Sequence, residues 1–319
     1  MRVAFMASDA IALESLKFLR SDEFFGKLAC VVSNPDKPKG RGHKLSPNPV
    51  SEWALANFIP LLRPEKRPGL EEIECMKALG VDCVIVMAYG HILRADVLDF
   101  PQYGCLNLHA SLLPELRGPS PIETAIACGE TQTGVCLMRM ALKMDVGGVC
   151  AKKHTDISPR ETSASLREKI SVMSAFLLRE SLPKVAEGSA VFEEQDESRA
   201  SYTRKLDKFD LFLDFGKDAV ELDRRIRAFG QGAFEYDGEV IKTHSAFACA
   251  PDEKCGECGE ILESSNRDSL DIACKRGYIK ISSLQKPCAK MLPASEFFKS
   301  HKFDAKKIIA SALNAPLLK

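Results

Sequence analysis

An amide and an imidazole two residues apart, Asn107 and His109, stand in the run Cys105-Leu-Asn-Leu-His109, whose composition predicts a short β-strand. Side chains on a strand alternate between its faces, so these two point the same way and can meet one ligand. The amide offers two N–H donors, and the imidazole is either a neutral donor or a cation. Such a pair suits an oxyanion forming at a carbonyl carbon. A lone carboxylate, Asp145, follows a later apolar run in the turn Met144-Asp-Val-Gly-Gly148. It could orient His109 and accept or relay a proton. Each residue taken singly has a plainer use. A strand-end Asn and His can satisfy loop backbone groups, and an Asp in a turn can bond its own backbone.

The elements that must position these groups follow from hydrophobic patterning. Short apolar runs at residues 3–6, 28–33, 81–88, 105–109, 133–140 and 149–155 predict strands, with longer helical patterns between them. The first helix is expected over residues 11–19, where Ile11, Ser15, Phe18 and Leu19 fall near one face. Ser158-Pro-Arg-Glu161 has the spacing of a capping box with Pro in the first turn, opening a helix to about residue 185. Open α/β sheets bind ligands beyond the carboxyl ends of their strands, which is where His109 falls. Residues 187–206 are polar and aperiodic, as in a linker. Beyond them a short strand leads into a helix, and small strands at 238–243, 259–263, 270–274 and 278–284 suggest a compact barrel. The expected fold class is α/β: a Rossmann-like domain with a mostly parallel sheet over 1–186, a linker over 187–206, and a smaller OB-like β-barrel domain over 207–319.

A length of 319 residues, 45% hydrophobic and 28% charged, suits an ordinary globular chain of two domains. No apolar run is long enough to span a bilayer, and acidic residues come too early for a signal peptide. A cytoplasmic protein with no membrane partner is therefore expected. Of the 12 cysteines, Cys30, Cys83, Cys105 and Cys136 lie in apolar runs and read as core thiols. Cys255-Gly-Glu-Cys258 has a metal-like spacing but no second such pair or nearby His pair, so no metal is expected. The net charge of zero gives no sign of a polyanionic partner. Its distribution is uneven: residues 274–319 hold ten basic side chains against two acidic, and residues 36–44 hold four against one. On charge alone, a solvated basic face explains this as well as a nucleic acid does.

Asn107, His109 and Ser111-Leu-Leu-Pro114, followed by Arg117-Gly118 and by Asp145 in a turn, resemble the signature of the 10-formyltetrahydrofolate-dependent formyltransferases. Within that superfamily, the stretch NPDKPKGRGHKLSPNPV from Asn34 to Val50 resembles the loop inserted in methionyl-tRNA formyltransferases. Val86 to Leu93 (VMAYGHIL) resembles the pterin-binding stretch, and Ile226 to Phe229 the second-domain helix. The chain departs from the family at Ala7-Ser-Asp-Ala10, where a Gly-Thr-Pro-like turn is usual, and at Gly230-Gln-Gly-Ala233, which lacks a Pro/Trp-rich run.

The resemblance implies 10-formyltetrahydrofolate as co-substrate and methionyl initiator tRNA as partner, with a monomer expected. It implies Asn107, His109 and Asp145 as the catalytic residues. Val86, Met87, Ala88, Tyr89, Ile92, Leu142, Lys143 and Met144 would surround the pterin, and Ser111, Leu112, Leu113 and Pro114 would line the formyl-carrying end. Lys37, Lys39, Arg41, His43 and Lys44 would contact tRNA. A sugar-nucleotide amine formyltransferase, a formyl-folate hydrolase and a non-catalytic binding module are the alternatives. The basic loop argues against the first, and the complete trio argues against the last.

Overall fold

The structure is a computed structural model and describes residues 1–39, 44–249, 256–262, 265 and 267–318. It comprises two compact units. The first is Met1–Pro121, Gln132–Asp156 and Arg167–Tyr202; the second is Ile122–Thr131, Ile157–Leu166 and Thr203–Lys319.

In chain order the elements up to residue 186 are β1 (Arg2–Met6), α1 (Leu13–Arg20), β2 (Lys27–Val32), β3 (Lys37–Lys39), β4 (Lys44–Ser46), α2 (Pro49–Ala56), β5 (Leu61–Leu62) and α3 (Leu70–Ala78). They continue as β6 (Cys83–Val86), α4 (Ala95–Asp99), β7 (Cys105–His109), α5 (Pro121–Cys128), β8 (Gln132–Arg139), β9 (Val149–Asp156) and α6 (Ser163–Ala186). A seven-stranded sheet runs β5-β2-β1-β6-β7-β8-β9. Pairing is parallel from β5 through β7 and antiparallel at β8 and β9. Sequence and burial agree with this placement. The parallel strands β2 and β6 are buried along almost their whole length, whereas the edge strand β9 alternates between sheltered and exposed positions.

From β1 the chain moves outward to β2 and β5, then returns to the other side of β1 as β6. This reversal is the switch point at which doubly wound sheets open a crevice, bounded here by the segments that follow β1 and β6. One face of the sheet packs Ala4, Met6, Val84, Val86 and Cys105 against Ile73, Met76, Tyr89 and Val97. Asn107 and His109 share the face of Cys105.

Several element bounds differ from the sequence expectation for local reasons. The strand expected to reach residue 88 stops at Val86, and Ala88 turns into the left-handed region with φ 48°. The first helix begins as a 3-10 turn, Ala10–Ala12, whose start is capped by Asp9. Ser158 and Glu161 do bond, N–H to Oε2 at 3.3 Å. The long helix nevertheless begins later, where Thr162 and Ser165 bond reciprocally through backbone N–H and side-chain oxygen.

The second unit is built from small antiparallel strands and a helix. They are α7 (Ala219–Phe229), β10 (Gly232–Tyr236), β11 (Glu239–Thr243), β12 (Ala246–Cys249), β13 (Leu270–Ala273), β14 (Tyr278–Ile281), β15 (Ser283–Leu284), β16 (Leu292–Pro293) and α8 (Ala294–Phe297). Gly230, with φ 70°, takes the left-handed cap that ends α7. Phe215, Leu222, Ile226, Phe234, Ile272, Ile279 and Phe297 share one core. Where a short strand is expected ahead of α7, a 3-10 turn, Lys208–Leu211, is followed by a single bridge from Phe212 to Ala233, and the described residues 259–262 contribute the single bridges Glu260 to Ile308 and Ile261 to Ile272. Beside that turn Asp210, 4% exposed, pairs with Arg204 and Arg225.

Candidate active site

β7 lies between β6 and β8, and Asn107 stands in register with Val86 on one side and Met138 on the other. Its side chain is half-buried and has no hydrogen-bond partner among the described residues, so both amide N–H groups are available to a ligand. His109, 6% exposed, lies one strand repeat further on. Its Nε2 is 3.0 Å from the Leu116 carbonyl oxygen. A carbonyl only accepts, so that nitrogen carries a proton. The Nδ1 edge faces Asp145, with Oδ2 at 3.7 Å. This is too long for a hydrogen bond and close enough for a strong charge interaction whenever the ring is protonated.

Asp145 sits in the turn between β8 and β9 with φ 56°, a left-handed conformation that Asp tolerates better than most residues. Its Oδ2 accepts the Gly118 N–H at 2.8 Å. Gly147 in the same turn has a packing reason, because a Cβ there would overlap the Arg139 carbonyl oxygen.

The loop between His109 and Gly118 is shaped by its own polar groups. Ser111 Oγ donates to the Glu115 carbonyl at 2.6 Å, and Lys152 Nζ donates to that of Leu113 at 2.6 Å, next to the cis Leu113–Pro114 bond. Leu113 packs with Cys136, Met138 and Val149, and Pro114 is also buried. These side chains point into the protein, while Leu112 is half-buried. Arg117 is fully buried and donates to Gln195, Glu197 and the Tyr202 hydroxyl. The hydrogen bond from Arg117 holds the Glu197 carboxyl below its ordinary range.

Of the residues placed around the pterin by sequence, Val86, Met87 and Tyr89 are buried at the carboxyl end of β6, and Ala88 is exposed between them. Ile92, Leu142 and Met144 are large apolar side chains left 58%, 66% and 49% exposed, and Lys143 is exposed too. Sequence reasoning missed the polar clasp beside them. Asn34 Nδ2 donates to the Tyr89 carbonyl at 3.0 Å, His91 Nε2 lies 2.7 Å from Asn34 Oδ1, and the Asn34 N–H donates to Ser8 Oγ. Asn48 Nδ2 donates to the Asn34 carbonyl, while Asn48 Oδ1 accepts from Ser33 and from two N–H groups of α2. The clasp closes the base of the 34–49 loop, where Ser8, Lys37, Ser46 and Asn48 help line a cavity of about 320 Å³.

Lys37 is exposed on β3, which pairs with β4 so that Lys39 lies opposite Lys44. Arg41 and His43 lie outside the described residues, as does Cys255. Among the described residues there is no cluster of three or more metal-ligating side chains and no helix long and apolar enough to cross a membrane.

The chain matches two family models, formyl transferase over residues 1–181 and formyl transferase C-terminal domain over residues 205–302. It is 36% identical over 312 residues to a methionyl-tRNA formyltransferase of Methylococcus capsulatus, covering 97% of this chain and 99% of the relative. A methionyl-tRNA formyltransferase of Myxococcus xanthus is 38% identical over 304 residues, covering 94% and 95%. Among solved structures, a sugar 3N-formyl transferase determined in the presence of dTDP and 5-N-formyl-THF superimposes with TM-score 0.64 at 20% identity, covering 91% of this chain and 99% of that one, a likeness of fold. Matched by the formyl transferase family over residues 1–181 and by near-complete methionyl-tRNA formyltransferases at 36% and 38% identity, the chain belongs to the formyl transferases and, among them, to the methionyl-tRNA formyltransferase family.

Proposed function

We propose that the protein transfers the formyl group of 10-formyltetrahydrofolate to the α-amino group of methionyl initiator tRNA, giving formylmethionyl-tRNA for translation initiation. The observation that carries this reading is the convergence of Asn107, His109 and Asp145 at β7 in a chain of this family. An α-amine has an ordinary pKa of roughly 7.7–8.0, so an appreciable neutral fraction is present near pH 7 and needs little activation. Its nitrogen attacks the formyl carbon, and negative charge builds on the formyl oxygen. The unpartnered Asn107 amide is the donor most ready to meet that charge, and the His109 ring, whose Nε2 proton is committed to the Leu116 carbonyl, adds positive charge beside it when Nδ1 is protonated. The C–N10 bond then breaks. The proton released by the attacking nitrogen ends on N10 of the departing folate, and the carboxylate of Asp145 assists that movement beside the His109 ring.

The exposed apolar side chains Ile92, Leu142 and Met144 support a site that shields an aromatic ring. This chemistry requires no metal or prosthetic group, since the folate arrives as co-substrate. The basic residues at Lys37, Lys39, Arg41, His43 and Lys44 would meet the tRNA phosphates, which makes binding salt-dependent. The test is incubation with 10-formyltetrahydrofolate and charged methionyl initiator tRNA, with an amino sugar nucleotide as the competing acceptor. Formylation of the tRNA supports the reading, and formylation of the sugar alone refutes it.

A further inference from the structure

We infer that Gln195 is a positioning residue for the transfer, tying the loop that carries Asp145 to the loop that holds His109; the inference rests on the proposed formyl transfer. Gln195 lies in the segment after α6, in a stretch whose polar composition reads as a linker. Its Nε2 donates to the carbonyls of both Asp145 and Gly147, each at 2.8 Å. Its Oε1 accepts from Arg117 Nε at 3.0 Å and from Nη2 at 2.9 Å. The carboxamide therefore uses two donors and two acceptor sites at once.

The bonds close a ring. Asp145 is held through its carboxylate by the Gly118 N–H and through its main chain by Gln195, which is fixed in turn by Arg117, the residue before Gly118. The Leu116 carbonyl that holds His109 belongs to the same short stretch. A left-handed Asp145 has no regular secondary structure to maintain it, so these bonds set where its carboxylate stands relative to His109.

The segment that presents Gln195 is itself anchored. Glu193 exchanges both backbone hydrogen bonds with Val149, at 2.9 and 3.1 Å, and the Arg139 guanidinium lies 4.4 Å over the Phe192 ring. Arg117 keeps other partners in Glu197 and Tyr202, so satisfying its charge does not by itself require a glutamine at 195. A neutral amide is the one side chain of this length that can accept from a guanidinium while donating to two carbonyls.

Gln195→Glu separates the two halves of this function. It keeps the length and the tie to Arg117 but replaces both donors with an acceptor facing two carbonyl oxygens. Steady-state transfer from 10-formyltetrahydrofolate to methionyl initiator tRNA should show kcat lowered about ten- to a hundredfold, the scale of a misplaced catalytic group. Both KM values should stay within about twofold. Gln195→Met, which removes the donors without adding charge, carries the same expectation should Gln195→Glu not be recovered folded. Glu197→Gln disturbs Arg117 from its other side without touching Asp145, and should keep kcat within about twofold. An unchanged kcat in the folded Gln195 variant, a loss confined to KM, or an equal loss in Glu197→Gln overturns the inference. Absence of transfer by the unaltered chain would instead overturn the proposed function.

Discussion

Replacing Asp145 with Asn removes one charge and almost nothing else. The Asn oxygen can still accept the Gly118 N–H that Oδ2 accepts at 2.8 Å, so the turn keeps its shape. What disappears is a negative charge 3.7 Å from His109 Nδ1. A unit positive charge carried by the ring during proton movement would interact with it by about 4 kcal/mol at an effective dielectric of 20 and about 1 kcal/mol at that of water. At about 1.4 kcal/mol per decade, the limits are roughly a thousandfold and slightly under tenfold in rate. The Asp145 side chain is 13% exposed, which places it between them, and we expect kcat to fall about a hundredfold. The assay is transfer of labelled formyl at saturating folate and tRNA, with the thermal midpoint measured in parallel. KM and thermal midpoint should change little. A folded Asp145→Asn protein that keeps more than half the normal kcat would show that the charge is not used, and would refute the proton movement assigned to it.

Gly147→Ala forces a Cβ against the Arg139 carbonyl and so moves the Asp145 turn; kcat should fall at least tenfold, checked by the same assay. Asp210→Ala leaves Arg204 and Arg225 without their shared carboxylate and should destabilise the protein by about 3–5 kcal/mol, read from denaturant unfolding. Burial pushes the Cys30 and Cys105 thiols up to about 12 and Cys136 to about 11. Alkylation near pH 8 should therefore label the exposed Cys75 and Cys288 first, and these three only on unfolding. Because their folded pKa values lie above the free-thiol value, the stability they confer is complete below about pH 8.5 and declines as pH rises beyond it. A thermal midpoint constant from pH 8 to 11 would contradict this.

The sequence was most informative where local rules decide the outcome. Period-two alternation put Asn107 and His109 on one face, and β7 has the bounds expected of it. Continuous apolar runs located β1, β2 and β6, because strands buried on both faces leave that signal. The two-residue strand β5 left no pattern to read. The end of β6 was overshot because Ala88, an unremarkable residue in sequence, takes a left-handed conformation. Gln195 and Glu197 were hidden for a different reason. Polar side chains that satisfy a buried arginine and the Asp145 turn have the composition of a solvated linker, and only tertiary geometry separates the two. The clasp of Asn34, Asn48 and His91 is likewise made of ordinary turn residues, brought together by strand order across the sheet.

Passage of formyl to methionyl-tRNA at β7, with Asn107 stabilising the developing oxyanion, can be followed in a single turnover. Enzyme preloaded with 10-formyltetrahydrofolate carrying a labelled formyl carbon is mixed with methionyl initiator tRNA, and label on the methionine nitrogen is followed for the unaltered chain and for Asn107→Ala at matched folate occupancy. Label should appear on formylmethionyl-tRNA, with the rate lowered about a hundred- to a thousandfold in the variant, the cost of removing one oxyanion donor. No label on the tRNA with the unaltered chain, or equal rates for the two proteins, would contradict this mechanism.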